Sequence, residues 1–316
     1  MFDNKTVLVT GGAGFIGSNL CDVLIKNDLK KLIIFDNLCQ STTDNIKHLL
    51  ENPRVEFVRG DVRDYEVVRE CVLESDYVFH LAASNMGTSE NRPRVDMETN
   101  IIGTFNVLTA AKEKPEIRIV HASSGSVIGS SDVPMPEDST PHPTTPYAIS
   151  KLSGEKYAQF FAEEFGVKVS IVRYHHVFGP RQDPTGKSGV INIFLSKILK
   201  GETPCIWGNG EQIKCFTFVL DTVDATIMVS QKDETIGEVY NVVSETRMNI
   251  NELADLFIKK YAEDKSMTPT RGPAKVGENI KPNPSPEKIK KLGFKASRNF
   301  EEGIELSKQW VESIIK

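Results

Sequence analysis

Short β-branched runs alternate with stretches of helical periodicity along the first half of the chain. Thr6–Thr10 (TVLVT) reads as a buried strand, and Phe15–Lys26 carries apolar residues at helical spacing. Leu32–Phe35, Val55–Val58, Tyr77–Leu81, Ile117–His121 and Val167–Val172 continue the series of strands. Strands separated by helices predict right-handed βαβ units around a parallel sheet. Strands covered on both faces need not alternate polar and apolar positions, and these do not.

The second half is less regular. Val190–Lys200, Asn251–Tyr261 and Glu301–Ile315 read as helices, while Thr268–Pro286, rich in Pro, Gly and Lys, reads as loops. The expected division is a first domain over 1–172, with 216–237 crossing back to it, and a smaller lobe made mainly of 173–316. No internal repeat or low-complexity tract interrupts either part.

Composition narrows the partners. A chain of 316 residues with 39% hydrophobic and 26% charged residues matches a soluble globular protein. Its formal net charge of −5 argues against a nucleic-acid surface. Cys21, Cys39, Cys71, Cys205 and Cys215 show no CxxC spacing, so neither a zinc site nor a disulfide framework is expected. Only Phe2–Lys5 separates Met1 from the first strand, leaving no room for a leader. No apolar run approaches the ~18–20 residues a membrane span needs. A cytoplasmic protein without membrane attachment is the expectation.

The sequence Thr10-Gly11-Gly12-Ala13-Gly14-Phe15-Ile16-Gly17 joins the first strand to the first helix. Glycines there permit a tight turn and let backbone amides approach a pyrophosphate, while the helix N-terminus offers free N–H groups and a favourable dipole. Asp36 ends the second strand, where a carboxylate can accept both adenosine ribose hydroxyls and repel a 2′-phosphate. The expected cofactor is therefore NAD, on a Rossmann-type doubly wound sheet. Asp61, in Arg59-Gly60-Asp61-Val62, is either a cap for the adenine amino group or a turn aspartate.

Tyr147 and Lys151 stand four residues apart at the start of a helix, on one face. A lysine cation beside a tyrosine, together with a positively charged nicotinamide, favours the phenolate and is expected to lower its pKa from about 10. Such a pair can take a proton from an alcohol while hydride leaves. The motif alone is weak: Tyr261 and Lys265 repeat the spacing in a polar stretch read as a solvated helix end. Ser124 separates the copies, because it follows the strand Ile117–His121 and can reach the same hydroxyl as Tyr147.

TGGAGFIG, Asp36, Gly60-Asp61, His80-Leu81-Ala82-Ala83, Asn100-x-x-Gly103-Thr104, Ser124, Tyr147/Lys151 and Gly179-Pro180-Arg181-Gln182 together resemble the extended short-chain dehydrogenase/reductase family. The likeness spans nearly the whole chain and is strongest to nucleotide-sugar epimerases of the UDP-glucose 4-epimerase type. It implies oxidation of a sugar C4 hydroxyl and return of hydride to the other face. Tyr147 would be the acid/base, Lys151 would hold the nicotinamide ribose, and Ser124 would position the C4 oxygen. It also implies that Gly11, Gly14, Phe15, Ile16, Gly17, Asp36, Asn37, Asp61, Val62, Leu81, Ala82, Ala83 and Asn100 line the cofactor. Ser84, His176, Val190, Trp207, Lys214 and Lys275 would meet the substrate in a nucleotide-sugar-binding α/β lobe.

Several positions depart from the family pattern. Ser124-Gly125-Ser126-Val127-Ile128-Gly129 lacks the glutamate of related dehydratases and decarboxylases, and the cysteine of GDP-sugar 3,5-epimerising relatives. His176 replaces an asparagine; it is either a pH-sensitive diphosphate donor or a neutral packed ring. Trp207 aligns with an aromatic that packs on uracil, or is a core tryptophan of the lobe. Lys214 and Lys275 replace phosphate-gripping arginines, with Arg271 competing for the second place; lysine brings charge without a bidentate fork. The alternatives to a 4-epimerase are a nucleotide-sugar 4-ketoreductase or other oxidoreductase, and a non-catalytic NAD sensor. The resemblance further implies a homodimer through helices near Asn100–Lys112 and Tyr147–Phe165, where Phe105, Val107, Leu108, Tyr157, Phe160 and Phe161 spread over more than one face.

Overall fold

The strand β1 (Thr6–Thr10) is buried at every position, and the chain turns from it into α1 (Phe15–Leu24). There follow β2 (Lys31–Asp36), β3 (Val55–Arg59), α2 (Tyr65–Glu74), β4 (Tyr77–His80), α3 (Met86–Asn91), α4 (Pro93–Met97), α5 (Gly103–Ala111), β5 (Arg118–Ser124), α6 (Pro146–Phe165) and β6 (Lys168–Tyr174). The computed structural model describes residues 2–185 and 189–315. These strands and Val239–Val242 form one seven-stranded sheet, in the order Val239–Val242, β6, β5, β4, β1, β2, β3. β1 pairs in parallel with β2 and β4, β2 with β3, and β4 with β5. The order reverses direction at β1 and β4, the switch point beyond whose carboxyl ends doubly wound sheets bind ligands.

The chain forms two compact units. The first comprises Met1–Ser124, Pro146–Arg173 and Val223–Tyr240; the second comprises Gly125–Thr145, Tyr174–Thr222 and Asn241–Lys316. In the first unit Leu8, Ile33, Val78, Ile119 and Ile171 from the sheet meet Val72, Leu108 and Phe161 from the helices in one apolar cluster. Each such side chain contributes about 1.5–3 kcal/mol by leaving water. Val107, Leu108 and Phe161 turn into this core, whereas Phe105, Tyr157 and Phe160 stay at the surface.

In the second unit the helices Val190–Leu199, Ile250–Tyr261 and Phe300–Ile315 pack on one another. Asn249 and Glu252 form a capping box that starts the second of these. Phe178, Phe216, Phe218 and Phe300 make an aromatic cluster beside them. The stretch expected as loops contains one strand, Thr270–Gly272, which pairs in parallel with Cys205–Trp207. Its three residues are too few for a periodic pattern to register. Among the described residues no helix is long and apolar enough to cross a membrane.

Candidate functional site

Both glycine positions at the ends of the first turn are dictated by close approach. Gly11 has φ +69°, and a Cβ there would lie 2.8 Å from the backbone nitrogen of Ala82, beyond β4. A Cβ on Gly17 would lie 2.2 Å from the carbonyl oxygen of Gly11, so the helix packs on the turn itself. Gly14 is the N-cap of α1 and provides no side-chain acceptor. The first N–H groups of that helix are therefore available to an anion. Phe15, Ile16, Leu81, Ala82 and Ala83 are half-buried around this switch point.

Asp36 closes the turn against β2. Its carboxylate accepts from the N–H of Ala13 at 3.1 Å, the N–H of Leu38 at 2.8 Å and the Ser41 hydroxyl at 3.1 Å. A carboxylate has about four acceptor positions, so one further donor can still be received. Asp61 is bound by Asn37 at 2.8 Å and by the Arg63 guanidinium at 2.9 and 2.7 Å, which together hold its pKa down to about 2. Asn37 and Asp61 thus sit together at the ends of β2 and β3. Val62 is buried against Gly103.

Ser124 is the last residue of β5, and its hydroxyl hydrogen-bonds that of Tyr147 on the first turn of α6. Lys151 follows one turn later and is buried. In the chain by itself, without the nicotinamide charge, the Tyr147 pKa lies above its ordinary value. Desolvation of the half-buried ring raises it to about 12, the Ser124 bond opposes this, and Asp96 adds to it. Burial lowers Lys151 to about 8, with Glu155 and Asp96 pulling it back up. The same burial that weakens the phenolate weakens the ammonium meant to stabilise it.

A polar network absent from the sequence reading surrounds this group. Asn100 lies in a π-helical turn, Glu98–Ile102, a widening that often marks a functional position. It donates to Asp96 at 2.8 Å and to the Ser150 hydroxyl at 3.0 Å, and accepts from the N–H of Ser84 at 2.8 Å. Ser84, expected to face the substrate, is buried, and its hydroxyl is committed to Asp96. Beside it, Glu155 receives Ser123 at 2.6 Å and two bonds from Arg173 at 2.8 Å. Glu155 stands four residues after Lys151, so helical spacing alone could have flagged it; no local signal marks Asp96.

Two histidines floor the network. His80 bridges the Thr10 and Thr104 hydroxyls at 2.8 and 3.1 Å, and burial takes its pKa down to about 3. His121 stacks on it at 5.4 Å with no partner for either ring nitrogen among the described residues.

The second unit holds the remaining expected residues. Trp207 is 45% exposed, so the core-tryptophan alternative is set aside. One face of its ring rests on Gly272, where a Cβ would come within 2.8 Å, and the Lys275 ammonium lies 5.9 Å from the ring centre. Lys214 is buried and paired with Glu278 at 2.7 Å. The Nη1 of Arg271, an exposed residue, donates to the Asn209 carbonyl and the Asn251 side chain, both at 2.9 Å. His176 is exposed, with its ring edge-on to that of Phe216 at 6.2 Å, and desolvation by the surrounding protein, then Lys214 and His175, lower its pKa. Val190 opens the helix Val190–Leu199. The repeat of the motif at Tyr261 and Lys265 is split by the end of the helix at Tyr261, whose hydroxyl donates to Glu305 at 2.6 Å.

Residues 7–243 match the model of the NAD dependent epimerase/dehydratase family. The chain is 35% identical to a putative UDP-glucose 4-epimerase of Methanocaldococcus jannaschii, covering 97% of this chain and 98% of that one. It is 32% identical to a UDP-N-acetyl-alpha-D-glucosaminuronate decarboxylase of Bacillus cytotoxicus, covering 98% of each. Among solved structures it superposes on the UDP-glucose 4-epimerase of Thermotoga maritima with UDP-glucose, with a TM-score of 0.89, 33% identity, and coverage of 98% of this chain and 100% of that one.

Proposed function

The chain belongs to the NAD-dependent epimerase/dehydratase family, and within it we propose that the protein interconverts the C4 epimers of a nucleotide sugar, a UDP-hexose, through a transient 4-keto sugar. The observation that carries this reading is the Ser124–Tyr147 hydrogen bond at the end of β5, with Lys151 one turn on and no carboxylate in Gly125–Gly129. Dehydration or decarboxylation of the ring would call for an acid in that segment, and Ser126 offers none.

The residues around the switch point fit NAD. The turn has no space for a Cβ at Gly11 or Gly17, the helix N-terminus behind it is uncapped, and Asp36 ends β2. Gly11, Gly14, Phe15, Ile16 and Gly17 would hold the pyrophosphate. Asp36 would take a ribose hydroxyl, and Asn37, Asp61 and Val62 would flank the adenine. Leu81–Ala83, Asn100 and Lys151 would line the nicotinamide half. NAD bound there would supply the acceptor for a hydride from C4 and the donor that returns it.

Tyr147 takes the proton from the C4 hydroxyl and returns it in the reverse half-reaction. Ser124 orients that oxygen, and Lys151 supplies positive charge that favours the phenolate. Trp207 offers its free face to the base, and Lys214 and Lys275 provide charge for the diphosphate. Such a catalyst regenerates its cofactor each turnover. Free thiols at all five cysteines suit work in a reducing cytoplasm.

We also propose a homodimer. Phe105, Tyr157, Phe160 and Phe165 on α5 and α6 form an exposed edge-to-face aromatic group, with Ile102 and Ile149 exposed on the same helical segments. An apolar surface of this kind on the first unit suits a second copy of the same face.

The test is incubation with UDP-, GDP- and dTDP-sugars without added cofactor, read by NMR. A C4 epimer is the expected product. Turnover only with added NADH would instead mark a 4-ketoreductase, and no product from any sugar would sink the enzymatic reading.

A further inference from the structure

Asp96 is a carboxylate only 1% exposed, on the short helix α4 that packs against α6. Its Oδ1 receives both the Ser84 hydroxyl and the Asn100 amide, and no cation lies within ion-pair distance of it among the described residues. Burying a carboxylate without a counter-charge costs several kcal/mol, which makes such a group a candidate for a role beyond packing.

Its connections lead to the acid/base group by two routes. Asn100, held by Asp96, donates to Ser150, and the Ser150 hydroxyl donates to the Tyr147 carbonyl at 2.9 Å. That chain ties the first turn of α6 to α4. The second route is through the field, because Asp96 acts on both Lys151 and Tyr147.

Among the other charged and titratable groups facing Lys151, Glu155 on the same helix raises its pKa more than Asp96 does, although Glu155 is also paired with Arg173 by two bonds of 2.8 Å. His80 on β4 and His121 on β5 are both held neutral by burial, with Lys151 itself opposing their protonation. Tyr147 remains a phenol until its proton is drawn off. Asp96 differs from Glu155 in having no ion-pair partner among the described residues.

We propose that Asp96 is a positioning residue for Tyr147 and Lys151: it seats the start of α6 through Asn100 and Ser150 and adds its negative charge to that of Glu155 near the Lys151 ammonium. This rests on the reading of Tyr147 and Lys151 as the acid/base pair. Without the anion, the buried ammonium gives up its proton at lower pH, and the phenol does likewise.

The experiment compares wild type, Asp96→Asn, Asp96→Glu and Ser150→Ala in two ways. One is the pH profile of kcat with the nucleotide sugar the enzyme turns over; the other is the pH dependence of NAD affinity with no sugar present. Asp96→Asn is expected to move both limbs of the kcat profile toward acid by about one unit, and to weaken NAD binding from a correspondingly lower pH. Asp96→Glu restores the limbs, and Ser150→Ala lowers kcat without moving them. Should Asp96→Asn not fold, the smaller neutral Asp96→Ser is read in the same way. A neutral variant that loses activity equally at every pH, with an unmoved NAD profile, overturns the proposal. If wild type turns over no nucleotide sugar, the proposed reaction fails, while the NAD arm still decides the role of Asp96.

Discussion

The Lys214 ammonium lies 2.7 Å from the Glu278 carboxylate, and both side chains are largely withdrawn from solvent. A lysine expected to grip a diphosphate is thereby held in place by a residue from the late loop. The pair supplies geometry that a lone flexible lysine lacks, and it also makes each partner costly to remove by itself. Lys214→Met should raise KM for the nucleotide sugar about tenfold with kcat little changed, the pattern of lost uniform binding. Steady-state kinetics checks this, and an unchanged KM would falsify the assignment of Lys214 to the diphosphate. Glu278→Gln should lower stability by about 1–3 kcal/mol, as measured by denaturant unfolding, because it leaves a buried ammonium poorly paired.

Tyr147→Phe removes the proton-transferring hydroxyl and leaves the ring that packs at the start of α6. Turnover should fall by about 10²–10⁴ while NAD remains bound. NMR of the sugar products and the absorbance of the retained cofactor measure the two separately. Full activity in this variant would remove Tyr147 from the chemistry.

Burial depresses Lys151 from 10.5 to about 8. Between these values the unfolded chain binds a proton that the folded chain does not, so folded stability rises with pH across that window. The penalty for holding the ammonium is fully present below pH 8, where it amounts to roughly 3 kcal/mol. Lys151→Met in protein stripped of NAD should accordingly be the more stable protein at pH 7, with its advantage shrinking as pH rises toward 10.5. Thermal melts across pH 6–10 test the sign; an advantage that grows with pH contradicts the burial argument.

Phe160 is 49% exposed within the aromatic group of α5 and α6. Phe160→Glu places a charge in the proposed interface and should convert a dimer to a monomer while leaving the far-UV spectrum unchanged. Light scattering after size exclusion gives the masses. A wild-type chain that is monomeric at every concentration would remove the dimer altogether.

What could be read locally was read from the chain. The strand, glycine turn and helix over residues 6–24 follow from apolar runs and backbone sterics within a few residues, and they emerge at the expected place. So does the Tyr147–Lys151 face, since a spacing of four fixes a shared helical side. The helix at Ile250–Tyr261 was equally legible, but the three-residue strand Thr270–Gly272 was not, because it takes its hydrogen bonds from Cys205–Trp207 rather than from its own pattern.

The sequence by itself determined the α/β alternation, the nucleotide-binding turn and the types of residue available for the chemistry. Only the tertiary structure decided their surroundings. The sheet order sets Asn100 beside Ser150, fifty positions later, and the fold sets Lys214 beside Glu278. Burial then raised the Tyr147 pKa in the protein by itself and withdrew Ser84 from solvent. Periodicity is encoded by neighbours along the chain. Desolvation and charge are set by neighbours in space, which come together only when distant segments pack.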